Sequence, residues 1–272
     1  MHAKNIIYEF NVAGQISKVY DKQPHEVRAV LNKLLPFKTF NTQVPMQIYE
    51  KYIVAIRQCV AGVKKLQLNP KERANSRVAE ISEILTRVDT SGDYLDIGCG
   101  DGYITYELGK YLNFKNVYGV DIFPIENKHI HAIVADTQDS TKYYAQFADN
   151  QFSFITMFVS LHHIARDKLA DNVAEIKRIL KPGGSLLIRE HDYAAKSEIE
   201  PTVQFLNVIH IINLLDVMNN DELGKYVLQI NYQREKYWNE LFAPEFKPID
   251  KLTYEKNNVQ HLYFELLEKK AE

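Results

Sequence analysis

Cysteine is nearly absent from this chain: Cys59 and Cys99 are the only two in 272 residues. Two thiols cannot build a disulfide framework, so a reducing, cytoplasmic setting is expected. Long apolar runs are missing as well. No stretch approaches the roughly 18 residues that a membrane-spanning helix needs. The longest candidate, Val203 to Met218, is interrupted by His210, Asn213 and Asp216. The start, Met-His-Ala-Lys-Asn, has no basic region leading into an apolar one, so no secretory signal is expected. Internal repeats and low-complexity tracts are also lacking. What remains is ordinary globular composition, 46% apolar and 25% charged, with enough chain for one large α/β core plus additions.

The charge is small in sum and uneven in place. The net is −2. Residues 1–75 hold twelve Lys and Arg against five acids, a local +7, which leaves −9 for the rest. A basic arm on an acidic body fits an anionic partner such as RNA, and it equally fits a solvated helical surface.

Residues 1–75 read as helical. Pro24 opens one helix and Pro45 a second, running to about Leu66 with Ile48, Tyr52, Ile56 and Val60 on one face. A third starts at Asn69-Pro70 and stops before Ser91-Gly92. From Asp93 the texture alternates. Strand-like runs are Tyr94–Ile97, Asn116–Val120, Ala132–Ala135, Phe152–Val159 and Ser185–Arg189. Helical stretches, Ile104–Leu112, Thr141–Phe147 and Lys168–Leu180, separate them. Short apolar strands alternating with helices predict a doubly wound, mostly parallel sheet whose ligands sit beyond the C-terminal strand ends. Two more helical patterns, Phe205–Leu215 and Leu223–Ile230, follow the fifth strand. The runs Phe246–Leu252 and His261–Leu267 close the sheet as an antiparallel pair, giving seven strands. The expected division is a helical extension, residues 1–75, and an α/β domain, residues 76–272, carrying a helical insert at 193–235.

Glycine is sparse, yet Gly98, Gly100 and Gly102 fall within five residues after the first strand. They let the backbone turn sharply and approach a ligand closely. Asp96 and Asp101 sit among them. A pyrophosphate cradle wants N–H groups and positive charge, so these acids suit a cationic or hydroxyl-bearing ligand better. The spacing also departs from the dinucleotide fingerprint, because Tyr103 stands where its third glycine belongs. Asp121 ends the second strand, 19 positions after Gly102. A carboxylate there can accept hydrogen bonds from a vicinal diol. Asp136 ends the third strand, where an N-cap for the next helix is the alternative role.

Leu95-Asp96-Ile97-Gly98-Cys99-Gly100-Asp101-Gly102 resembles motif I of the class I S-adenosylmethionine-dependent methyltransferases. Leu161-His162-His163 at the fourth strand end, and Leu180-Lys181-Pro182-Gly183-Gly184 before the fifth, are similar to the small-molecule, type 11 members. The resemblance covers about residues 76–192 and, more loosely, 235–267. Residues 1–75 and 193–235 carry none of these motifs, and in the family such additions form the substrate lid. It implies S-adenosylmethionine as cofactor, with Asp96, Gly98, Cys99, Gly100, Asp101 and Gly102 around its amino-acid end. Asp121 would hold the ribose, Ile122 would pack on the adenine, and Asp136 with Thr137 would meet the adenine edge. Phe158 would lie near the delivered methyl group. Ser153 departs from the acid usual in that strand, and the signatures of DNA amino-methylation and ribose 2′-O-methylation are absent.

A histidine near neutral pKa can serve as a general base. Neighbouring residues do not face the same way, so one of His162 and His163 at most points inward, and no metal-ligand spacing accompanies them. The fifth strand ends Arg189-Glu190-His191-Asp192, where a Glu–His or Asp–His pairing can tune a base and an ion-pair network is equally consistent. His163, Glu190 and His191 are the catalytic candidates. The expected activity is methyl transfer to an O or N acceptor on a small molecule. The alternatives are cap-type RNA methylation through the basic segment, and a binding protein that no longer transfers methyl groups.

Overall fold

The computed structural model describes residues 12–34, 45–66, 69–135, 142–193, 201–249, 252–255, 260 and 262–270. They fall into two compact units. One comprises Met1–Leu68 with Ala195–Ile230, the other Asn69–Ala194 with Asn231–Glu272. The N-terminal segment and the insert, which have no counterpart by motif, therefore belong to the same unit.

The first unit is helical. It contains a helix including residues 12–19 (α1), α2 (Pro24–Leu34), α3 (Pro45–Val60), α7 (Pro201–Leu214) and α8 (Asn220–Leu228). Its core joins Ile16, Val27, Ile53, Ile56, Ile211 and Leu223. Arg57 ties α3 to the start of α8, donating to Asn220 Oδ1 and to the Met218 carbonyl, each at 2.6 Å. Asn219 caps α8 in a capping box with Glu222. The helix expected to reach Leu66 ends at Val60, because Gly62 takes a left-handed φ of 72° that stops the helical ladder.

The second unit begins with α4 (Pro70–Leu85), capped by Asn69, whose side chain accepts from the Lys71 and Glu72 amides. It continues β1 (Asp93–Ile97), α5 (Tyr103–Tyr111), β2 (Val117–Asp121), β3 (His131–Val134), β4 (Phe152–Phe158), α6 (Leu169–Ile179) and β5 (Leu180–His191). After the insert come α9 (Glu235–Phe242), β6 (Phe246–Pro248), β7 (Thr253–Tyr254) and β8 (Leu262–Lys269). The sheet order is β3-β2-β1-β4-β5-β8-β6, with β7 paired to β8. The first five strands are parallel to one another, and β8 runs antiparallel to β5, β6 and β7. This is the expected seven-strand frame plus the two-residue β7.

Three local expectations change. The helix over 141–147 is a 3-10 turn, Lys142–Gln146. The edge strand at Phe246 stops at Pro248, whose ring carries no amide hydrogen for the ladder. The Pro-Gly-Gly turn lies within β5: Phe152 pairs with Leu180 and Phe154 with Ser185, so Lys181–Gly184 bulge out of a strand that starts earlier than expected. One sheet face packs Leu95, Ile155, Ile188 and Tyr263 against α6 and α9. The other packs Tyr94, Phe154, Leu187 and Phe264 with α4 residues Val78 and Ile81 and α5 residue Leu108. Since β1, β2, β4 and β5 are parallel, their C-terminal ends share one edge. The strand order reverses between β1 and β4, the switch point where such sheets bind ligands.

Candidate active site

The loop after β1 is built from left-handed glycines. Gly98, Gly100 and Gly102 have φ of 79°, 58° and 79°, a region costing other residues about 1–2 kcal/mol. Sterics reinforce this at two of them. A Cβ on Gly98 would lie 2.5 Å from Ser160 Cβ, and one on Gly102 would lie 2.8 Å from Ile130 Cδ1. At Gly100 nothing lies within 4 Å, so its backbone borders open space. The Gly98 and Cys99 amides donate to the Val120 carbonyl, which fixes the loop over the end of β2.

Three of the four expected acids are described, and they divide into distinct roles. Asp96 is 2% exposed. Its Oδ2 accepts from Thr105 of α5 at 2.5 Å and its Oδ1 from Thr156 of β4 at 2.6 Å. Tyr94 bonds Thr156 in turn at 2.8 Å. Burial pushes the Asp96 carboxyl up to about 6, against the pull of the two threonines. Asp96 thus lies beneath the loop and pins α5 and β4 to β1. Asp101 accepts from Arg73 at 2.5 Å and from the Tyr103 amide at 3.2 Å. Asp121 accepts from the Gly100 amide at 2.7 Å and the Phe123 amide at 2.9 Å, so the strand-end carboxylate is held directly beside the glycine loop. Ile122 next to it is 38% exposed. Cys99 is buried, and burial with Asp96 and Asp121 pushes its thiol far above the usual range, which makes it unreactive. Asp136 and Thr137 lie outside the described residues.

The ends of β4 and β5 carry the second half. Phe158 ends β4 with its ring edge-on to Phe264 at 6.4 Å. Val159 has φ of 55°, a strained conformation for a β-branched residue, held by its amide to the Arg189 carbonyl at 2.6 Å. Ser160 touches the loop: its Oγ donates to the Ile97 carbonyl at 3.0 Å. The 3-10 turn Leu161–His163 follows.

In that turn the inward histidine is His162, fully buried, while His163 is exposed. His162 Nδ1 lies 2.7 Å from Glu190 Oε1, sharing one proton with it. The His191 amide donates to the same oxygen at 2.7 Å and the His162 amide to Oε2 at 3.3 Å. Burial raises the Glu190 carboxyl, opposed by His191 and these amides. His191 Nδ1 donates to the Gln260 carbonyl at 2.7 Å. Tyr232 stacks on His162 at 5.4 Å between ring centroids and 20° between planes. Donor atoms of His162, Glu190 and His191 lie within 4.8 Å of one another, a spacing open to a metal ion, but the Nδ1 atom of each ring already has a hydrogen-bond partner.

Of the catalytic candidates, the structure brings Glu190 and His191 together with His162 and leaves His163 exposed, its ring centroid 4.0 Å from that of His162. That a Glu–His pairing could form was legible from residue types, but the expected pairing lay within Arg189–Asp192, whereas Glu190 pairs with His162 and His191 Nδ1 with the Gln260 carbonyl. Which histidine turns inward was not legible, because it depends on the 3-10 turn. Arg73, Thr105 and Thr156, which hold the acids, carry no motif signal and appear only through tertiary contact.

The methyltransferase domain family matches residues 70–237, more than half of the chain. O-methyltransferase 3 of Dictyostelium discoideum is 27% identical over 143 residues. That match takes in 48% of this chain and 33% of the relative, so the chain spans about a third of that protein's length. A SAM-dependent methyltransferase from Archaeoglobus fulgidus has a similar fold, with a TM-score of 0.52 at 12% identity over 72% of this chain and 94% of that one. The CurJ carbon methyltransferase gives a TM-score of 0.52 at 13% identity, over 91% of this chain and 67% of that one.

Proposed function

This chain belongs to the methyltransferase domain family, and on that premise we propose that it uses S-adenosylmethionine to methylate a hydroxyl group on a small molecule. The observation that carries the reading is the buried His162–Glu190 pair, 2.7 Å apart, two residues beyond the serine that contacts the glycine loop. A neutral amine attacks through its lone pair and needs little more than positioning. A hydroxyl must lose its proton, and a carboxylate-oriented imidazole is the group for that task. The O-methyltransferase relative agrees with this acceptor type.

The site fits the cofactor. Gly100 borders open space beside Asp121, and Ile122 presents apolar surface next to it. Asp121 would accept the ribose hydroxyls, Ile122 would cover the adenine, and Gly98, Gly100 and Gly102 would face the amino-acid end. Asp101, held by Arg73, would orient its ammonium, while Asp136 and Thr137 would meet the adenine edge. When bound, the sulfonium supplies an activated methyl group for in-line displacement. The protein contributes orientation and the base. Glu190 keeps the His162 ring in place, and Tyr232 keeps water from it. Acceptor access requires the ring to be uncovered, because His162 has no exposed surface.

We assign acceptor selection to the helical unit. Its basic residues favour a small molecule over RNA: Lys22, Arg57 and Lys65 are engaged inside that unit with Cys59, Asn220 and Asp216, and Arg73 holds Asp101. These four of the twelve cations in residues 1–75 have partners within the chain, Lys65 and Arg73 while nearly half exposed.

Calorimetric titration with S-adenosylmethionine, and transfer of a labelled methyl group to a panel of phenols and alcohols, test the reading. Asp121→Ala should bind no cofactor. His162→Gln and Glu190→Gln should bind it normally and lose about 10²–10⁴-fold in transfer rate. Unchanged affinity in the first variant overturns the cofactor assignment. Unchanged rates in the other two overturn the base.

A further inference from the structure

A buried base that takes a proton at every turnover must also release it, and the His162–Glu190 pair is sealed from solvent. The ladder between β5 and β8 supplies a second set of polar groups beside it. Tyr263 stands directly opposite Glu190, and Glu265, opposite Ile188, follows on the same face of β8. Tyr263 is fully buried and Glu265 is 4% exposed. Among the described residues, the Tyr263 hydroxyl, Glu265 Oε2 and the indole nitrogen of Trp238 have no hydrogen-bond partner. Trp238 belongs to the same core cluster as Tyr263 and sits one turn after Glu235 at the start of α9. Leaving such groups unpaired in an apolar core is costly. Buried polar atoms of this kind bind water, and a row of them leading away from a base has a use.

We propose that Tyr263 and Glu265, bridged by buried water, are the proton exit of the His162–Glu190 base. The inference rests on the base assignment above. Glu190, once protonated, gives its proton to the bridging water. That water passes one to the Tyr263 oxygen as the Tyr263 hydroxyl proton moves to a second bridging water, which in turn gives one to the Glu265 carboxylate. One proton travels from Glu190 to Glu265, no electrons are exchanged, and Glu190 returns to its ionised form. Glu265 then discharges towards Glu235, which is half-buried at the first turn of α9.

The charges around Tyr263 support this order. Burial, then Glu190, Glu265, Glu235 and Asp192, keep its hydroxyl protonated. It can therefore hand a proton on only while receiving another. Burial and then Glu235 push the Glu265 carboxyl up to about 7, where it takes up and gives back protons near neutrality. His162 and His191 are the basic neighbours on the Glu190 side.

The exchange rate of the His162 Nδ1 proton with water, followed by NMR of the full-length chain at neutral pH, reads the route without any acceptor. Tyr263→Phe and Glu265→Gln should each slow this exchange about tenfold or more. Merely loosening the core would speed it. Tyr263→Phe removes an unpartnered polar atom, Glu265→Gln removes a buried ionisable group, and both keep the side-chain shape, so folding should survive. Exchange as fast as wild type, or faster, in both variants overturns the proposal. Failure of the base assignment would appear separately, as unchanged methyl transfer by His162→Gln.

Discussion

Glu265 stores a pH dependence in one side chain. Its folded pKa, pushed up to about 7 by burial and then by Glu235, stands above the ordinary 4.5. The folded state therefore binds the proton more tightly than the unfolded chain. The resulting stability is fully present below about pH 4.5 and is lost as pH rises through about 7. Glu265→Gln, neutral at every pH, should be more stable than wild type by about 1–3 kcal/mol near pH 8, and the advantage should vanish near pH 4. Thermal melts at the two pH values check this, and equal shifts at both would refute it. The same scale shows where residue type stops being informative. Asp96 and Asp121 read alike as loop acids, yet one lies under the sheet between two threonines and the other beside an open backbone. The register puts both on one sheet face, Asp96 opposite Gly119 and Asp121 two residues further along β2; their difference comes from position along the strand, Asp96 inside β1 and Asp121 at the open end of β2.

At the scale of elements, the loop keeps its form because its neighbours are tied together. Asp96 links β1 to α5 through Thr105 and to β4 through Thr156, and Tyr94 extends the chain. Thr156→Val keeps the shape and removes the hydroxyl. It strands an Asp96 oxygen and the Tyr94 hydroxyl in the core, and should cost about 1–3 kcal/mol. Urea denaturation measures it, and a stability within error of wild type would show that the network is dispensable. Most elements were legible because their apolar periods are regular, as in α4 with Ala74, Val78, Ile81 and Leu85 buried on one face. The misses have local causes. Gly62 ended α3 early, and the Lys181–Gly184 bulge hid the first residues of β5, because bulged residues break the alternation that marks a strand.

At the scale of the whole molecule, the two segments without a recognisable motif share one helical unit with its own core. Ile212 is 1% exposed within it. Ile212→Asp would bury a charge there and should unfold that unit. If acceptor selection resides in the helices, this variant should bind S-adenosylmethionine with calorimetric affinity close to wild type and transfer no methyl group. Retained transfer would move acceptor selection to the α/β unit. The sequence by itself determined the α/β sheet, the glycine loop and the strand-end acids, because those depend on short-range periodicity and on the backbone freedom of glycine. Only the tertiary structure decided that His162 is the histidine on Glu190 and that the Asp96 carboxyl is buried between Thr105 and Thr156. It alone placed Tyr263 opposite Glu190 and Glu265 two residues further along β8. These are pairings between strands far apart in the chain, and side-chain direction across a sheet is set by register, which no local pattern encodes.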